Sequence, residues 1–352
     1  TEGAAAYNAS LITHAAYIQG EGEILPAVRA TLGVRFETGK QDVRAVDLFN
    51  PAPLEGRTLD NDYWLPAGTI TWNFAEEQQI RLGASKTIAR PQFRELINQP
   101  YYDPETSRPY RGNPLLSDSE LLNAEARFEY YFTRDERVSA AGFYKKIDNP
   151  IEAFIAGIDL TTSFANAPEA VLYGAEFDVQ KYFDVGNWRG DGMRRLLISG
   201  NYTYTKSELK VGPDDTVSYF GAASTIASDY FRDGVPLTGQ SDHIANLQIG
   251  LENDDRLSQQ TFLLGYASER VISRGLNGTP PQSDVIERPG WQLDFVMREG
   301  FTVFGQELEF KAEVRNILGT DHEEYQQSGD NRLEINSYRE GRSFGLSVST
   351  TF

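Results

Sequence analysis

The last segment of the chain alternates between apolar and polar residues. Phe344, Leu346 and Val348 fall on one face of a strand, and the odd-numbered residues from Ser343 onward put small polar or glycine residues on the other. Period two is the period of an extended strand. The pattern runs to an aromatic residue, Phe352, as in outer-membrane barrels, whose apolar face meets lipid and carries an aromatic girdle. The segment therefore predicts the wall of an all-β, transmembrane antiparallel β-barrel.

Similar alternating segments recur throughout the chain. In Glu307–Leu318 the apolar residues share one face and charged residues occupy the other, which suits a water-filled lumen better than a protein core. Together the segments indicate about thirteen strands. The residues that we expect to face the lumen are Glu125, Arg127, Glu129, Asp294, Arg298, Glu307, Glu309, Lys311, Glu313 and Arg315.

The connections between these segments alternate between short and long. We expect short turns at Gly22–Pro26, Ala75–Glu77, Thr133–Glu136, Asp184–Gly192, Asn253–Leu257 and Phe301–Gly305. We expect long loops at Gly39–Asp62, Ala89–Glu120, Asp148–Ala170, Leu209–Gly239, Ile272–Gly290 and Gly319–Glu340. Short periplasmic turns and long extracellular loops are typical of bacterial barrels. Because such barrels close with an even number of strands, an odd count predicts further strands upstream of Thr1.

Composition narrows the functional classes. The formal net charge of -18 argues against nucleic acid as a partner, since phosphates would be repelled. No run of about 18 apolar residues is present, which excludes a spanning helix. Cysteine is absent, so thiolate metal sites and disulfides are excluded. The three histidines are scattered and no catalytic motif is found, so we predict no enzyme activity, no metal site and no cofactor.

Several motifs resemble those of the TonB-dependent outer-membrane receptors. The strand end Ser85-Lys86-x-x-x-Arg90-Pro91 leads into a long loop, as in that family. The other matching stretches are Arg111–Leu115, Leu122–Phe132, Gly142–Ile147 and Glu313–Leu318. The resemblance implies a barrel of about 22 strands with a plugged lumen. It also implies a TonB box that reaches the TonB–ExbB–ExbD energy complex.

Neither a plug nor a TonB box is found in residues 1–352. By this resemblance, residues 1–352 are the C-terminal part of the barrel, in contact with outer-membrane lipid. Phe352 would contact the barrel-assembly machinery. The charged lumen residues would form cross-strand ion pairs and dock the plug, or alternatively line a transport path.

Two long loops combine aromatic residues with arginine. Aromatic faces stack on sugar rings, catechols or flat chelates, and arginine binds carboxylates in a bidentate manner. Alternatively, loop tyrosines fold the loops over one another. The candidate ligand-binding residues are Tyr101, Tyr102, Tyr110, Arg111, Tyr219, Phe220, Tyr230, Phe231, Arg232 and Asp233.

The predicted function is TonB-dependent active uptake of a bulky nutrient, such as a ferric siderophore or an oligosaccharide, across the outer membrane of a Gram-negative bacterium. The small-molecule ligand would bind to the extracellular loops and the plug. The alternative is a passive porin or diffusion channel, and a third possibility is a barrel-embedded enzyme or adhesin. The sequence does not choose the ligand.

Overall fold

The computed structural model describes most of the chain. The described residues are 6–46, 56–104, 106, 108–157, 160–187, 190, 192–253, 255–277 and 281–350. Phe352, which we expected to contact the barrel-assembly machinery, lies outside them. No helix in the described residues is long and apolar enough to cross a membrane.

The described residues form strands and two single-turn 3-10 helices, Phe93–Leu96 and Ala227–Asp229. The strands, in chain order, are β1 (Ala6–Leu25), β2 (Val28–Val46), β3 (Gly56–Ala75), β4 (Gln78–Ala89), β5 (Pro100–Asp103), β6 (Arg108–Arg111), β7 (Ser119–Thr133), β8 (Glu136–Asp148), β9 (Ile151–Ile155), β10 (Thr162–Asn166), β11 (Glu169–Gly186), β12 (Arg194–Lys210), β13 (His243–Asn253), β14 (Ser258–Ala267), β15 (Arg270–Ser273), β16 (Val285–Glu287), β17 (Gly290–Val303), β18 (Gln306–Arg315), β19 (His322–Ser328), β20 (Asn331–Tyr338) and β21 (Ser343–Thr350).

Thirteen of these strands form one large antiparallel sheet, which we call the wall. Its strand order is β1-β2-β3-β4-β7-β8-β11-β12-β13-β14-β17-β18-β21. Each strand pairs with the next one along the chain that belongs to the sheet, as in a meander. No pairing joins β1 to β21 within the described ranges. Short and long connections alternate between the strands, so the two edges of the wall differ: one carries tight turns and the other carries long segments.

The register of the wall separates an apolar face from a polar face. Directly paired residues lie on the same face, and the pairs Phe36 with Trp64 and Ile249 with Phe262 are apolar. The apolar face is open, as shown by Leu346, which is 76% exposed. An exposed apolar face along the whole sheet is the pattern expected for strands that contact lipid.

The tight turns follow from local backbone preferences. In the connection between β17 and β18, both Phe304 (φ 51°) and Gly305 (φ 79°) adopt positive φ angles. Two-residue hairpin turns of the primed type need positive φ at both positions, which glycine adopts without strain. The adjacent strands consequently continue to Val303 and from Gln306, further than we predicted.

The predicted loop Gly39–Asp62 is wrong over most of its length. β2 continues to Val46 and β3 begins at Gly56, so the connection is much shorter than expected. The apolar–polar alternation fails here because side chains on both faces are polar or charged, while Val43 is buried under other segments of the chain. A side chain that is buried by a segment distant in sequence does not give its own strand an alternating apolar–polar pattern.

The remaining long connections contain eight short strands. They form two four-stranded sheets, ordered β5-β6-β10-β9 and β15-β16-β19-β20. A parallel bridge between Phe154 and Arg274 joins the sheets, with hydrogen bonds from Ile155 N to Arg274 O (2.7 Å) and from Arg274 N to Ala153 O (2.9 Å). The predicted loops are therefore one folded layer.

We call this layer the cap; it comprises the described residues of 90–118, 149–168, 211–242, 268–289 and 316–342. Its largest apolar cluster centres on Phe154 and Phe231 and includes residues from the ends of the wall strands, such as Leu209. A second cluster joins Val43 and Leu59 of the wall to Leu96, Ile97 and Leu116 of the cap. Burial of these side chains at about 25 cal/mol per Å² fixes the cap on the wall.

Candidate functional site: a cavity between the wall and the cap

The ends of β2 and β3 and two cap segments enclose a cavity of about 350 Å³. Phe220, from the long connection between β12 and β13, lies at its edge. The remaining lining residues are Val43, Ala45, Gly56, Arg57, Leu96, Ile97, Asn98, Gln99, Pro114 and Leu115. Most of this lining is apolar, and its volume lies at the lower end of the range for small-molecule sites, about 300–1,000 Å³.

Two polar groups of the lining lack partners. The Nε of Arg57 and the Oε1 of Gln99 are buried and make no hydrogen bond with any described residue. Buried polar atoms without partners are rare in folded proteins, because desolvating such a group costs about 1–3 kcal/mol. A donor and an acceptor that need partners therefore line the same apolar cavity.

The cap segment of the cavity is shaped by a tight local fold. The 3-10 helix Phe93–Leu96 begins where the backbone N–H of Gln92 donates to Oε2 of Glu95 (2.8 Å). Asn113 N donates to Glu95 O (2.6 Å), which draws the second cap segment against this helix. Gly112 permits the approach, since a Cβ there would lie 2.6 Å from backbone atoms of Arg94, Glu95 and Ile97.

Asn113 connects this segment to the one that carries Phe220. Its buried side chain donates to Ser218 O (2.9 Å) and accepts from Phe220 N (3.2 Å) and Leu115 N (3.0 Å). One amide thus positions two lining residues from connections that are far apart in sequence. The glycine and asparagine of the Arg111–Leu115 motif have this structural role.

The first group of sequence-predicted ligand residues lies in the sheet β5-β6-β10-β9. Tyr101 stacks on Tyr110 at a centroid distance of 5.6 Å, and Tyr110 stacks on Phe164 at 6.1 Å. Burial raises the pKa of the Tyr101 hydroxyl to about 12. Tyr102 is 63% exposed, and Arg111 is exposed with its carbonyl accepting from Ser163 Oγ (2.7 Å). None of the four predicted residues lines the cavity.

The second group is divided between the cavity and the cap core. Phe220 lines the cavity, whereas Phe231 is 1% exposed and lies in the cap core. Tyr219 and Tyr230 pack edge-on against Phe154 in the same core as Phe231. These tyrosines fold the connections together, which was the alternative that we considered.

The two charged members of that group have partners within the cap. Arg232 Nη2 lies 3.0 Å from Asp284 Oδ1, and Asp233 Oδ1 accepts from Val211 N at 3.0 Å. The first contact joins two cap segments, and the second lies within one of them. Of the ten predicted ligand residues, only Phe220 lines the cavity.

The cap contains a buried charge network that connects three of its segments. Glu152 and Arg274 are 1% and 2% exposed, and their Oε2 and Nη2 atoms are 3.5 Å apart. Arg274 Nη1 also lies 3.2 Å from Asp284 Oδ2, and Thr238 N donates to Glu152 Oε1 at 3.1 Å. Burial raises the pKa of the Glu152 carboxyl to about 7, against the opposing effect of Arg274.

A separate buried pair connects the two small sheets from another side. Arg108 of β6 and Glu324 of β19 are both almost fully buried, with Nη2 and Oε2 3.4 Å apart. Burial raises the pKa of the Glu324 carboxyl, whereas Arg108 and His322 beside it oppose the rise. Ion pairs thus join cap segments that the chain places far apart.

The residues predicted to face the lumen lie on the polar face of the wall and pair with one another or with neighbours. The Nε of Arg298 lies 2.7 Å from Oε1 of Glu309, and Lys311 Nζ lies 2.8 Å from Glu313 Oε2. Arg315 also contacts Glu313 (3.4 Å). The other contacts are Arg127 to Glu125 (3.1 Å), Arg127 to Glu176 (3.3 Å), Arg81 to Glu129 (3.3 Å) and Asn316 N to Asp294 Oδ1 (2.8 Å). Glu307 lies on the same face, opposite Thr302.

Within the described ranges, no three His, Asp or Glu side chains are arranged to hold a metal ion. The cavity residues Arg57 and Gln99 were missed by sequence analysis, since neither lies in a recognisable motif. Arg57 lies where the sequence predicts a loop, so the sequence gives no strand pairing in which an unpaired cation could be recognised.

The comparisons with known proteins identify the family. A family model described as "TonB dependent receptor-like, beta-barrel" matches residues 3–317. The chain belongs to the TonB-dependent receptor β-barrel family. Members of this family are transporters, not enzymes, and lie in the outer membrane of Gram-negative bacteria. The comparison with curated proteins found no match.

Solved structures of TonB-dependent receptors share the fold. The siderophore receptor PiuA from Acinetobacter baumannii has a TM-score of 0.66 at 15% identity, over 97% of this chain and 43% of that one. The ferric-catecholate import receptor Fiu from E. coli has a TM-score of 0.61 at 15% identity, over 98% and 45%. The ferric yersiniabactin uptake receptor FyuA from Yersinia pestis has 0.59 at 15%, over 98% and 46%. The chain therefore spans less than half the length of these receptors.

Proposed function

We propose that this TonB-dependent receptor barrel takes part in energy-dependent uptake of a bulky nutrient across the outer membrane. The observation that carries the proposal is the combination of a family barrel wall with a folded cap over its long-connection edge. A diffusion channel needs an open mouth, whereas here two cap connections and the ends of β2 and β3 enclose a cavity. Such an enclosure suits capture of a scarce compound before transport.

The same proposal assigns partners to each part of the protein. The apolar face of the wall contacts lipid, and the cap with its cavity faces the extracellular medium. The polar face lines the barrel interior, where its ion pairs meet a plug domain. TonB–ExbB–ExbD supplies the energy, and the barrel-assembly machinery contacts Phe352. A ferric siderophore agrees with the siderophore and ferric-catecholate receptors among the structural neighbours, and an oligosaccharide is the other candidate ligand class.

The test compares uptake with and without energy coupling. Cells that produce the intact protein are given radiolabelled ferric siderophores and oligosaccharides, in the presence and absence of functional TonB. We expect accumulation of at least one compound to require both the protein and TonB. Accumulation that requires the protein but not TonB, together with steady ion conductance of the purified protein in a planar bilayer, would instead show a passive channel.

A further inference from the structure

We propose that the cavity between β2, β3 and the cap binds a flat apolar group that carries a carboxylate. This inference rests on the proposed function, because the group would be one portion of the transported compound. The anion would bind at Arg57, and the apolar portion would lie against Phe220, Leu96 and Ile97.

The shape and lining of the cavity indicate the apolar portion. About 350 Å³ accommodates a fused aromatic ring system, and seven lining residues have apolar side chains. They are Val43, Ala45, Leu96, Ile97, Pro114, Leu115 and Phe220. The ring of Phe220 is 46% exposed at the cavity edge and presents a face for offset stacking, which contributes about 0.5–1.5 kcal/mol beyond burial.

The charged residues of the cavity lining indicate that the ligand carries an anionic group. The lining includes one cation, Arg57, and no Asp or Glu. Within the described residues Arg57 forms no ion pair, and its buried Nε has no hydrogen-bond partner. The buried arginines of the cap, Arg108 and Arg274, each contact a carboxylate. Guanidinium recognises carboxylate through parallel N–H···O bonds, so an anionic ligand supplies what this site lacks.

A second polar contact restricts the ligand further. The buried Oε1 of Gln99 has no donor in the described residues. A hydroxyl or N–H of the ligand would donate to it, so ligands with such a donor bind more tightly than those without one. Gly112 and Asn113 hold the cavity walls together through contacts within the chain.

The test measures binding of 2-naphthoate and of 2-naphthalenemethanol, its uncharged analogue, to outer-membrane vesicles that contain the intact protein. Vesicles without the protein correct for partition into lipid. We expect the wild-type protein to bind naphthoate more tightly than the alcohol. The Arg57→Gln variant should bind naphthoate at least tenfold more weakly, since one charge-assisted hydrogen bond contributes about that factor, and should bind the alcohol unchanged.

Arg44→Gln is the matched control. Arg44 lies on the neighbouring strand and pairs with Asp42 at 2.8 Å on the opposite face, so its loss removes the same charge without changing the cavity. Ala45→Phe fills the cavity and should abolish binding of both probes. Equal naphthoate binding by wild type, Arg57→Gln and Ala45→Phe would overturn the proposal, as would equal losses in Arg57→Gln and Arg44→Gln.

Failure of this inference is distinct from failure of the proposed function. If naphthoate does not bind at Arg57 but uptake still requires TonB, the assignment of the ligand class is wrong and the transporter stands. If naphthoate binds at Arg57 but uptake does not require TonB, the cavity stands as a ligand site and active transport is wrong.

Discussion

The wall and the cap are both built from antiparallel strands, but they place charge in opposite positions. In the wall, apolar side chains face outward and ion pairs such as Arg298 with Glu309 remain partly exposed on the polar face. In the cap, apolar residues and charged residues are buried together, and Glu152 and Arg274 are almost inaccessible. The difference follows from packing: both faces of the wall are largely open, whereas the cap interior has protein on all sides.

The contribution of an ion pair to stability depends on whether the pair is exposed or buried. Exposed pairs contribute about 0–1 kcal/mol, because water screens both the attraction and the loss of a partner. Removing one member of a buried pair leaves an uncompensated charge and costs about 3–5 kcal/mol. The wall should therefore tolerate loss of its charges, whereas the cap should depend on them.

The largest expected effect comes from Arg274→Met. It leaves Glu152 and Asp284 without their shared cation, so we expect the cap to lose about 3–5 kcal/mol of stability. Hydrogen exchange of cap amides in the intact protein measures this loss. Arg298→Met in the wall is the control and should change exchange far less. Similar changes in hydrogen exchange for the two variants would show that buried ion pairs in the cap contribute no more to stability than exposed pairs in the wall.

The second prediction concerns the apolar face of the wall. Ile249 lies in the middle of β13 and pairs with Ile198 and Phe262 on that face. Ile249→Arg should destabilise the barrel by about 2–4 kcal/mol, because a charge would enter lipid. Gln248→Arg, one residue away on the polar face, is the matched control. Denaturant unfolding in lipid bilayers measures both, and a larger loss for Gln248→Arg would mean that the faces are assigned the wrong way round.

Sequence reasoning recovered the wall because a sheet with one apolar and one polar face has period two along its strands. Phe344, Leu346 and Val348 are paired in the structure with Val314, Ala312 and Phe310, as the alternation requires. The predicted loop bounds Gly39–Asp62 were wrong, because polar residues on both faces interrupt the alternation where β2 and β3 continue. The alternation therefore predicts which residues share a face of the wall, but it does not predict where a strand ends.

The strands of the cap could not be predicted from the sequence in the same way. Its strands are mostly three to five residues long, too short to show a period. Burial of Phe231 and Glu152 depends on segments far apart in sequence, which no local pattern encodes. The cavity depends on the same long-range contacts, so aromatic composition found Phe220 and missed Arg57 and Gln99.

The third prediction tests the close approach at Gly112. A Cβ at this position would lie 2.6 Å from three backbone atoms that cannot rotate away. Gly112→Ala should therefore destabilise the cap by about 1–3 kcal/mol and weaken ligand binding in the cavity. Gly20→Ala in β1 is the control, since its Cβ would meet no atom within 4 Å. Hydrogen exchange of residues 92–99 reports the change; equal protection in both variants would show that the cap segment adapts without cost.

The last prediction is a pH dependence of cap stability. Burial raises the pKa of the Glu152 carboxyl from 4.5 to about 7. Between these two pH values the folded cap retains a proton on Glu152, whereas the unfolded chain has released it. The contribution to stability is fully present below pH 4.5 and is lost as the pH rises through about 7, with a slope of at most about 1.4 kcal/mol per pH unit.

Cap exchange measured across this range should show a steeper slope in the wild type than in Glu152→Gln, which keeps the shape of the side chain without the titrating group. The raised pKa of Glu324 leaves a slope of the same sign in the variant. The charged groups around Glu152 are Arg274 and, beyond it, Asp284 and Arg232. An equal slope in Glu152→Gln would assign the titration to another group and leave the buried network as a purely structural contact.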